Sequence, residues 1–339
     1  MRIKTKDVRN VVKVLDEIID NYNLSTIDEK RDWKEYERKV VSRIKTAIKE
    51  LSPLIEEAIT SLNILKIEKR GNKPKLELKQ KIIILITQRL IKKSNRDMSN
   101  MLALFSMLNE IDISYKTVER IYSYEEVILV MHNLHVLILK KKGVTEADCC
   151  GDGTGYTLTI KENYASVVEK FKEKAKDSEE IVKKKKKKFV YSFALLDINT
   201  RMYIAFGTSH KSEKEAFLSA LEMAKRIGIP VKSIRLDRYY SGQSYVEILI
   251  KELGNVKITL IPKKNATIEG CWEWKRILHD FVNDPITYLE DYFQRTQSES
   301  CFSEDKKRTG WIIYQKREDR INTANFCNII IHNLFWLGN

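Results

Sequence analysis

The order of segments after residue 142 is the feature that most restricts how this chain can fold. Apolar runs of strand length and amphipathic stretches of helix length follow one another as strand, strand, strand, helix, strand, helix, strand, helix. A short polar turn, Asn199–Arg201, joins the second and third runs and predicts a hairpin. The sequence therefore predicts an α/β domain: a mixed five-stranded open sheet flanked by helices on both faces, with sites at strand ends near the point where strand order reverses.

Flanking residues set the limits of these segments. Ser212 is a suitable N-cap for a helix that ends at Gly228, and Gly254 ends the next helix. The five predicted strands are 144–160, 189–198, 202–207, 231–236 and 256–261. From Cys271 onward the chain is predicted to be helical, with a break near Gly310.

Residues 1–140 are predicted to form an all-helical domain, because apolar residues recur there at spacings of three and four. Within it, a polar turn joins two short helices over about residues 98–123, and Ser114 is a good N-cap for the second. This arrangement predicts a DNA-binding helix-turn-helix, with an ordinary helical hairpin as the alternative. The second helix is expected to direct four side chains outward: Tyr115, Lys116, Glu119 and Arg120.

Charge indicates a polyanionic partner. The 339 residues include 61 Lys and Arg against 47 Asp and Glu, a formal net charge of +14, and the hydrophobic fraction of 43% is that of a globular protein. Residues 161–188 alone hold eleven lysines against six acids and are predicted to form an exposed insertion between two strands. Nucleic acid is the usual partner of so basic a chain; an anionic membrane surface and a generally lysine-rich composition are the alternatives.

Cysteine usage and hydropathy restrict the cellular setting. The five cysteines are irregularly spaced and include no CxxC pair, so the sequence indicates neither a zinc ribbon nor a disulfide framework. A reducing, cytoplasmic location is expected. The most apolar runs, 81–90 and 127–139, are too short or too broken to span a bilayer, so no membrane association is expected.

Three separated carboxylates are the candidate catalytic and metal-binding residues. Asp152 lies in the glycine-rich segment Gly151–Gly155, where small neighbours would let a metal and a phosphate approach the backbone. Asp237 follows an apolar strand, and Glu299 lies on a predicted helix. Carboxylate oxygens suit Mg²⁺, and two ions can activate a nucleophilic oxygen and stabilise a leaving one. We therefore expect the three acids to hold two Mg²⁺ ions, with Mn²⁺ as a substitute. Taken singly, each acid has an ordinary alternative as a turn, capping or ion-pair residue.

The residues around Glu299 form a spaced signature, Tyr-x2-Arg-x3-Glu-x6-Lys. Its members are Tyr292, Arg295, Glu299 and Lys306. All four project from one face if a single helix continues through them. Such a face would bring two cations and a tyrosine beside the carboxylate, a combination that suits a DNA backbone.

This signature resembles that of the DDE transposases of prokaryotic insertion sequences, of the family-four type. Asp152-Gly153-Thr154 is also similar to the family's first acidic motif, an Asp-x-Thr turn. The second motif, Asp237-Arg238-Tyr239-Tyr240, departs from the family pattern because it has a bulky residue where a small one is common. The resemblance covers residues 143–339, and residues 114–122 less specifically.

The resemblance implies an RNase H-like catalytic domain over residues 143–339. It implies metal-dependent cleavage at element ends followed by strand transfer, without a covalent protein–DNA intermediate. It assigns DNA binding near the cut to Tyr292, Arg295 and Lys306. The basic pair Lys263 and Lys264, which follows the fifth strand, is a further DNA-binding candidate.

The implied partners are double-stranded DNA, as element ends and target, and a second copy of the chain in a synaptic dimer. The N-terminal domain is expected to bind the element ends by itself. Only 62 residues separate Asp237 from Glu299, so we expect no large β-rich insertion between them. Trp272 and Trp274 are candidates for stacking on a flipped base, although a helix start of this kind usually buries one of the two.

Two other interpretations stay open at this point. One is a DNA-binding regulator derived from a transposase that no longer cuts, which the presence of all three acids disfavours. The other is a structure-specific nuclease such as a junction resolvase, which the basic helical N-terminal part and the signature spacing disfavour.

Overall fold

The structure is a computed structural model that describes residues 3–25, 32–62, 75–109, 111–158 and 189–338. The lysine-rich segment 161–188 lies outside these residues, so its role as an exposed insertion stays a prediction.

Helices make up the described secondary structure before the first strand, in agreement with the predicted helical N-terminal part. They are α1 Thr5–Lys13, α2 Leu15–Ser25, α3 Trp33–Thr60, α4 Leu78–Leu90, α5 Asn95–Asn109, α6 Tyr115–Ile121 and α7 Glu125–Lys142. Ser114 caps α6 as predicted, its hydroxyl oxygen accepting a hydrogen bond from the Thr117 amide at 3.3 Å. Gly143 ends α7 in the left-handed conformation, with φ of 80°.

The remaining elements alternate as the sequence predicts. In chain order they are β1 Ala147–Leu158, β2 Phe189–Asp197, β3 Tyr203–Ser209, α8 Glu213–Ile227, β4 Val231–Leu236, α9 Gln243–Leu253, β5 Lys257–Thr259, α10 Trp272–Asn283, α11 Pro285–Phe293, α12 Thr296–Thr309, β6 Ile312–Ile313 and α13 Glu318–Leu337. Ser212 caps α8, and Gly228 ends it, as predicted.

The mixed sheet has the strand order β3-β2-β1-β4-β5, and β6 pairs with the far end of β1. The β1–β2 and β2–β3 pairs are antiparallel, whereas β1 pairs in parallel with β4 and β6, and β4 with β5. The described residues thus form six strands instead of the five predicted. The additional strand, β6, has two residues, too few for any alternation of apolar and polar side chains to be read from the sequence.

Helix α13 joins the two parts of the chain in one core. Nearly all of its residues from Arg320 to Trp336 are buried, and it packs against α3, α4 and α7 as well as against β3. Polar side chains fix its position: Arg89 of α4 donates to Asn328 at 3.0 Å, and Asn333 bonds to the backbone of Tyr203. None of the described helices combines the length and apolarity that crossing a bilayer requires.

Replacement of Gly207 by Ala should destabilise the sheet–helix contact strongly. A β-carbon at Gly207 in β3 would overlap the carbonyl oxygen of Ala216 and the amide of Ala220 in α8. Because backbone atoms cannot rotate aside as a side chain can, we expect the free energy of unfolding to fall by about 1–3 kcal/mol. Urea denaturation measures the change.

The matched control is Gly242→Ala. A β-carbon there would meet nothing within 4 Å, and φ is 173°, an extended conformation that any residue adopts. A cost below about 1 kcal/mol is expected for this control. Equal costs for the two variants would contradict the packing argument.

Candidate active site

The candidate site lies where the edge of β1 is open between two neighbouring strands. β4 pairs with β1 from Ala147 to Gly151, and β6 pairs with it only from Thr157 onward. Asp152 is the first residue of the interval between them. Gly151 is the pairing partner of the last residue of β4, so Asp152 and Asp237 are the next residues along two adjacent parallel strands. The sheet thus places two of the three candidate acids side by side.

The glycine-rich segment around Asp152 is part of β1, which confirms the predicted strand 144–160 and not the turn that the resemblance implied. The whole segment pairs in antiparallel register with β2. A side chain at Gly153 would overlap the carboxylate of Glu213, and one at Gly155 would overlap the ring of Phe189. These glycines therefore make room for neighbouring protein side chains.

The signature residues are divided between two helices, so the prediction of one continuous helix is wrong. α11 ends at Phe293, and α12 begins at Thr296. Arg235 of β4 donates to the carbonyl oxygen of Asp291 at 3.0 Å, the oxygen that a continuous helix would offer to the amide of Arg295. That amide bonds instead to the carbonyl of Tyr292, three residues back, at 3.1 Å. A long-range contact therefore ends the helix.

The same Asp291 anchors the end of α11 to the sheet. Its carboxylate accepts hydrogen bonds from the Arg235 Nε at 2.8 Å and from the Thr259 hydroxyl at 2.9 Å, and it pairs with Lys257 at 3.1 Å. The pKa of Asp291 is lowered because these hydrogen bonds and the Arg235 charge outweigh the effect of burial. The chain that follows, including Arg295, is thereby fixed against the open edge.

Arg295 bridges two of the three acids. Its Nη1 donates to Glu299 Oε1 at 2.7 Å, and its Nη2 lies 3.5 Å from Asp237 Oδ1. The guanidinium carbon lies 5.3 Å from the centre of the buried Tyr292 ring. The side chains of Asp237 and Glu299 are 41% and 51% exposed, so both carboxylates are accessible from solvent on their other sides.

Asp152 belongs to the same electrostatic cluster. Burial raises its pKa from 3.8 to about 6; a hydrogen bond from the Gly153 amide and the Arg295 charge oppose the rise, while the Glu299 and Asp237 charges add to it. Within the described residues, no group of three or more His, Cys, Asp or Glu side chains is arranged to hold a metal ion. Convergence of the three acids on shared metal ions therefore stays a prediction.

The raised pKa of Asp152 predicts a pH-dependent stability. The neutral form is favoured in the folded state, so the stabilisation is complete below pH 3.8 and is lost as the pH rises through about 6. Asp152→Asn is neutral at every pH. We expect this variant, without divalent metal, to melt about 2–6 °C above the unsubstituted protein at pH 8 and close to it at pH 4. Calorimetry at both values tests this, and an equal shift at both would contradict it.

Lys306 approaches Asp152 from α12. Its ammonium lies 4.4 Å from the centre of the Trp311 ring and 5.6 Å from that of Tyr156. Burial lowers the pKa of Lys306, and the Asp152 charge opposes this. The lysine is only 9% exposed, whereas Trp311 is 60% exposed beside it. The sequence did not single out Trp311, because only the pairing of β6 with β1 brings it here.

The other predicted DNA-binding residues occupy two places. Lys263 and Lys264 are exposed, and Lys263 donates to the carbonyl of Tyr239, two residues after Asp237, at 3.2 Å. Lys116 and Arg120 are exposed on α6, away from the acids in sequence and on a helix packed against α5.

Two expectations about individual side chains have different outcomes. The outward orientation predicted for Glu119 is wrong: its carboxylate pairs with Arg320 near the start of α13, and its side chain is only 30% exposed. Trp274 is buried and donates to the carbonyl of Thr267 at 2.9 Å, as expected for one member of the tryptophan pair. Trp272 is 75% exposed, and its stacking role stays a prediction. The fully described interval from Asp237 to Glu299 contains a single strand, β5, as expected for a chain without a β-rich insertion.

Comparison with known proteins adds the family. No family model matches this chain. A protein described as a probable transposase for insertion sequence element ISA1214, from Archaeoglobus fulgidus, is 40% identical over 335 residues, which are 98% of this chain and 97% of that relative. The similarity runs through the helical part and the sheet alike. The chain belongs to the transposases of insertion sequence elements. This confirms the family-level part of the resemblance seen in the sequence.

Proposed function

We propose that this transposase acts by the DDE mechanism and is of the family-four type. It cuts DNA at the ends of its element and joins the cut strand to a target, with two divalent ions held by Asp152, Asp237 and Glu299. The observation that carries the proposal is the side-by-side placement of Asp152 and Asp237 on adjacent parallel strands, with Glu299 joined to Asp237 through Arg295. The strand order is compatible with an RNase H-like sheet, which we take as the fold.

The donor set fits a hard divalent cation. Three carboxylates supply the oxygen ligands that Mg²⁺ prefers, with Mn²⁺ as a substitute. The repulsion that Glu299 and Asp237 exert on the charge of Asp152 is the kind that a divalent ion relieves. When bound, the ions would supply Lewis acidity for activating a water or 3′-hydroxyl oxygen and for stabilising the leaving oxygen.

Arg295 has two roles in this proposal. In the structure its guanidinium supplies positive charge between Asp237 and Glu299, while its Nε is buried without a hydrogen-bond partner among the described residues. Release from the two acids exposes their oxygens and frees the guanidinium for a DNA phosphate, which it can bind with two parallel hydrogen bonds. The Tyr292 ring supports the guanidinium through the cation–π contact seen in the structure.

Lys306 and the exposed residues around the acids provide the remaining DNA contacts. The ammonium of Lys306 lies near two aromatic rings and interacts with the Asp152 charge, which supports a role in binding a phosphate beside the cut. Lys263 and Lys264 extend the basic surface beyond Asp237. Lys116 and Arg120 on α6 would contact the element-end duplex as a helix-turn-helix does, and a dimer would bring two such ends together.

A plasmid assay tests the proposal. The full-length chain is incubated with Mg²⁺ and a supercoiled plasmid that carries the element ends, together with a labelled target. We expect nicked and cut donor as well as products joined to the target. Cleavage without joining would favour the nuclease alternative, and binding without cleavage would favour the non-cutting regulator.

Trp311 should contribute to DNA binding beside the acids, because its exposed face adjoins Lys306. Stacking of a base on an aromatic side chain is worth about 1–3 kcal/mol, so Trp311→Ala should weaken binding of an element-end duplex with an unpaired terminal base by about 5- to 150-fold. Fluorescence anisotropy in Ca²⁺ measures binding without cleavage.

The matched control is Trp272→Ala, which removes the other strong tryptophan candidate, exposed on α10. If only Trp272→Ala weakens DNA binding, the stacking residue is Trp272, as the sequence suggested, and not Trp311. Unchanged binding in both variants would show that neither tryptophan stacks on the DNA.

A further inference from the structure

A carboxylate that the signature does not include lies directly behind the first acid. Glu213, the first residue of α8, rests against the backbone of Gly153 in β1. Neighbouring residues of a strand project to opposite faces, so Glu213 and the side chain of Asp152 lie on opposite faces of β1. A side chain at position 153 would overlap this carboxylate, so the glycine is what permits the contact.

Tyr240 connects Glu213 to the second acid. Its hydroxyl donates to Glu213 Oε1 at 2.6 Å, and its amide donates to the carbonyl of Asp237 at 2.9 Å. Burial and the contact with Glu213 raise the pKa of Tyr240, so the hydroxyl remains a donor throughout the working pH range. The contacts Gly153–Glu213–Tyr240–Asp237 therefore form a continuous link between the two acid-bearing strands.

The aromatic ring that carries this hydroxyl is rigidly mounted. Tyr240 is fully buried, and its ring centre lies 5.0 Å from that of Phe217, 5.5 Å from Phe193 and 5.4 Å from Tyr245. These ring contacts hold the Tyr240 hydroxyl at Glu213.

We infer that Glu213 is a positioning residue for the transposition reaction and acts through Tyr240. The pair fixes the main chain of Asp237 relative to that of Asp152, and so fixes the separation of two of the acids. The expected effect of Glu213 on metal binding rests on the proposed function. The link that Glu213 and Tyr240 form between the two strands does not depend on it.

Three variants distinguish a positioning role of Glu213 from a role as a metal ligand and from a merely structural role. Glu213→Gln keeps an oxygen that accepts from Tyr240, Glu213→Ala removes it, and Tyr240→Phe removes the donor while leaving the charge of Glu213. Tyr245→Phe is the matched control, since it removes a hydroxyl from the same aromatic cluster. The readouts on the full-length chain are Mn²⁺ affinity by titration calorimetry, hydrogen–deuterium exchange of residues 236–242, and DNA affinity.

Loss of the hydrogen bond in Tyr240→Phe and Glu213→Ala is expected to weaken Mn²⁺ binding by about three- to tenfold and to speed amide exchange in residues 236–242, with DNA affinity unchanged. Glu213→Gln and Tyr245→Phe should stay within about twofold of the unsubstituted protein in both measurements.

Specific results would overturn the inference. Strong loss of Mn²⁺ binding in Glu213→Gln with normal binding in Tyr240→Phe would make Glu213 a metal ligand. Parallel loss of Mn²⁺ binding, DNA binding and thermal stability in Tyr240→Phe would make the link merely structural. Unchanged exchange in every variant would also overturn it. By contrast, faster exchange in a chain whose unsubstituted form neither binds Mn²⁺ nor cuts DNA would sustain the mechanical link and refute the proposed function.

Discussion

Neutralising any one of the three candidate acids is expected to lower DNA cleavage by about a thousandfold or more, with DNA affinity nearly unchanged. The variants are Asp152→Asn, Asp237→Asn and Glu299→Gln. Phosphoryl transfer requires charge held at the reacting oxygens, whereas affinity comes mainly from phosphate contacts elsewhere. The measurements are the rate of nicking of an element-end duplex in Mg²⁺ and its binding by anisotropy in Ca²⁺.

The controls are Glu290→Gln on α11 and Glu304→Gln on α12, acids that share the signature helices. Both should retain cleavage within about threefold of the unsubstituted protein. If Glu299→Gln still cuts and one of these controls does not, the third acid is misassigned. If all five variants cut, the DDE proposal is wrong.

Replacement of the buried Asp305 by Ala is expected to lower the free energy of unfolding by about 3–5 kcal/mol. The Asp305 carboxylate accepts hydrogen bonds from the Tyr203 hydroxyl at 2.9 Å and from Arg308 at 2.8 Å, and it lies 2.9 Å from His332 Nδ1. Removing it takes this acceptor away from the buried Tyr203 hydroxyl and the buried His332 ring, and it breaks the ion pair with Arg308. Urea denaturation of the full-length chain measures the cost.

Asp280→Ala is the comparison, because the Asp280 side chain is 55% exposed on α10. Its cost should stay within about 0.5 kcal/mol. Asp305→Asn keeps one carbonyl acceptor, so its loss in the free energy of unfolding should lie between those of Asp305→Ala and Asp280→Ala. A cost below about 1 kcal/mol for Asp305→Ala would show that the cluster around it rearranges. Asp305 precedes Lys306 on α12, the helix that also carries Glu299. The expected loss of stability in Asp305→Ala would therefore also disorder the candidate site.

Local signals in the sequence predicted much of the fold. Capping by Ser114 and Ser212 needs only the hydroxyl and the amide a few residues on, so the starts of α6 and α8 match the prediction. Apolar runs of strand length likewise located the five longer strands. Features created by distant contacts could not be read this way. Arg235 ends α11 from more than fifty residues away, and Arg320 turns Glu119 inward from the opposite end of the chain.

The same division applies to the site. Tyr292, Arg295 and Glu299 are close in sequence, so spacing alone could indicate that they act together, even though a helix break separates them. The placement of Asp152 and Asp237 on two predicted strands indicated that they would lie close together, whereas the register that puts them side by side could be read only from the structure. Trp311 and Glu213 reach the site only through β6 pairing and α8 packing, and no spacing rule links them to the acids.

The position of α13 has a consequence for how the chain is made. The apolar faces of α3, α4 and α7 that contact α13 have no partner until residues 318–337 have left the ribosome. About 175 residues separate α7 from α13, which at roughly 5–20 residues per second is a delay of about 9–35 s. During that time the apolar faces of the nascent N-terminal helices must stay exposed to water or bound to a chaperone. Completion of the helical half thus waits for synthesis of the last long helix described.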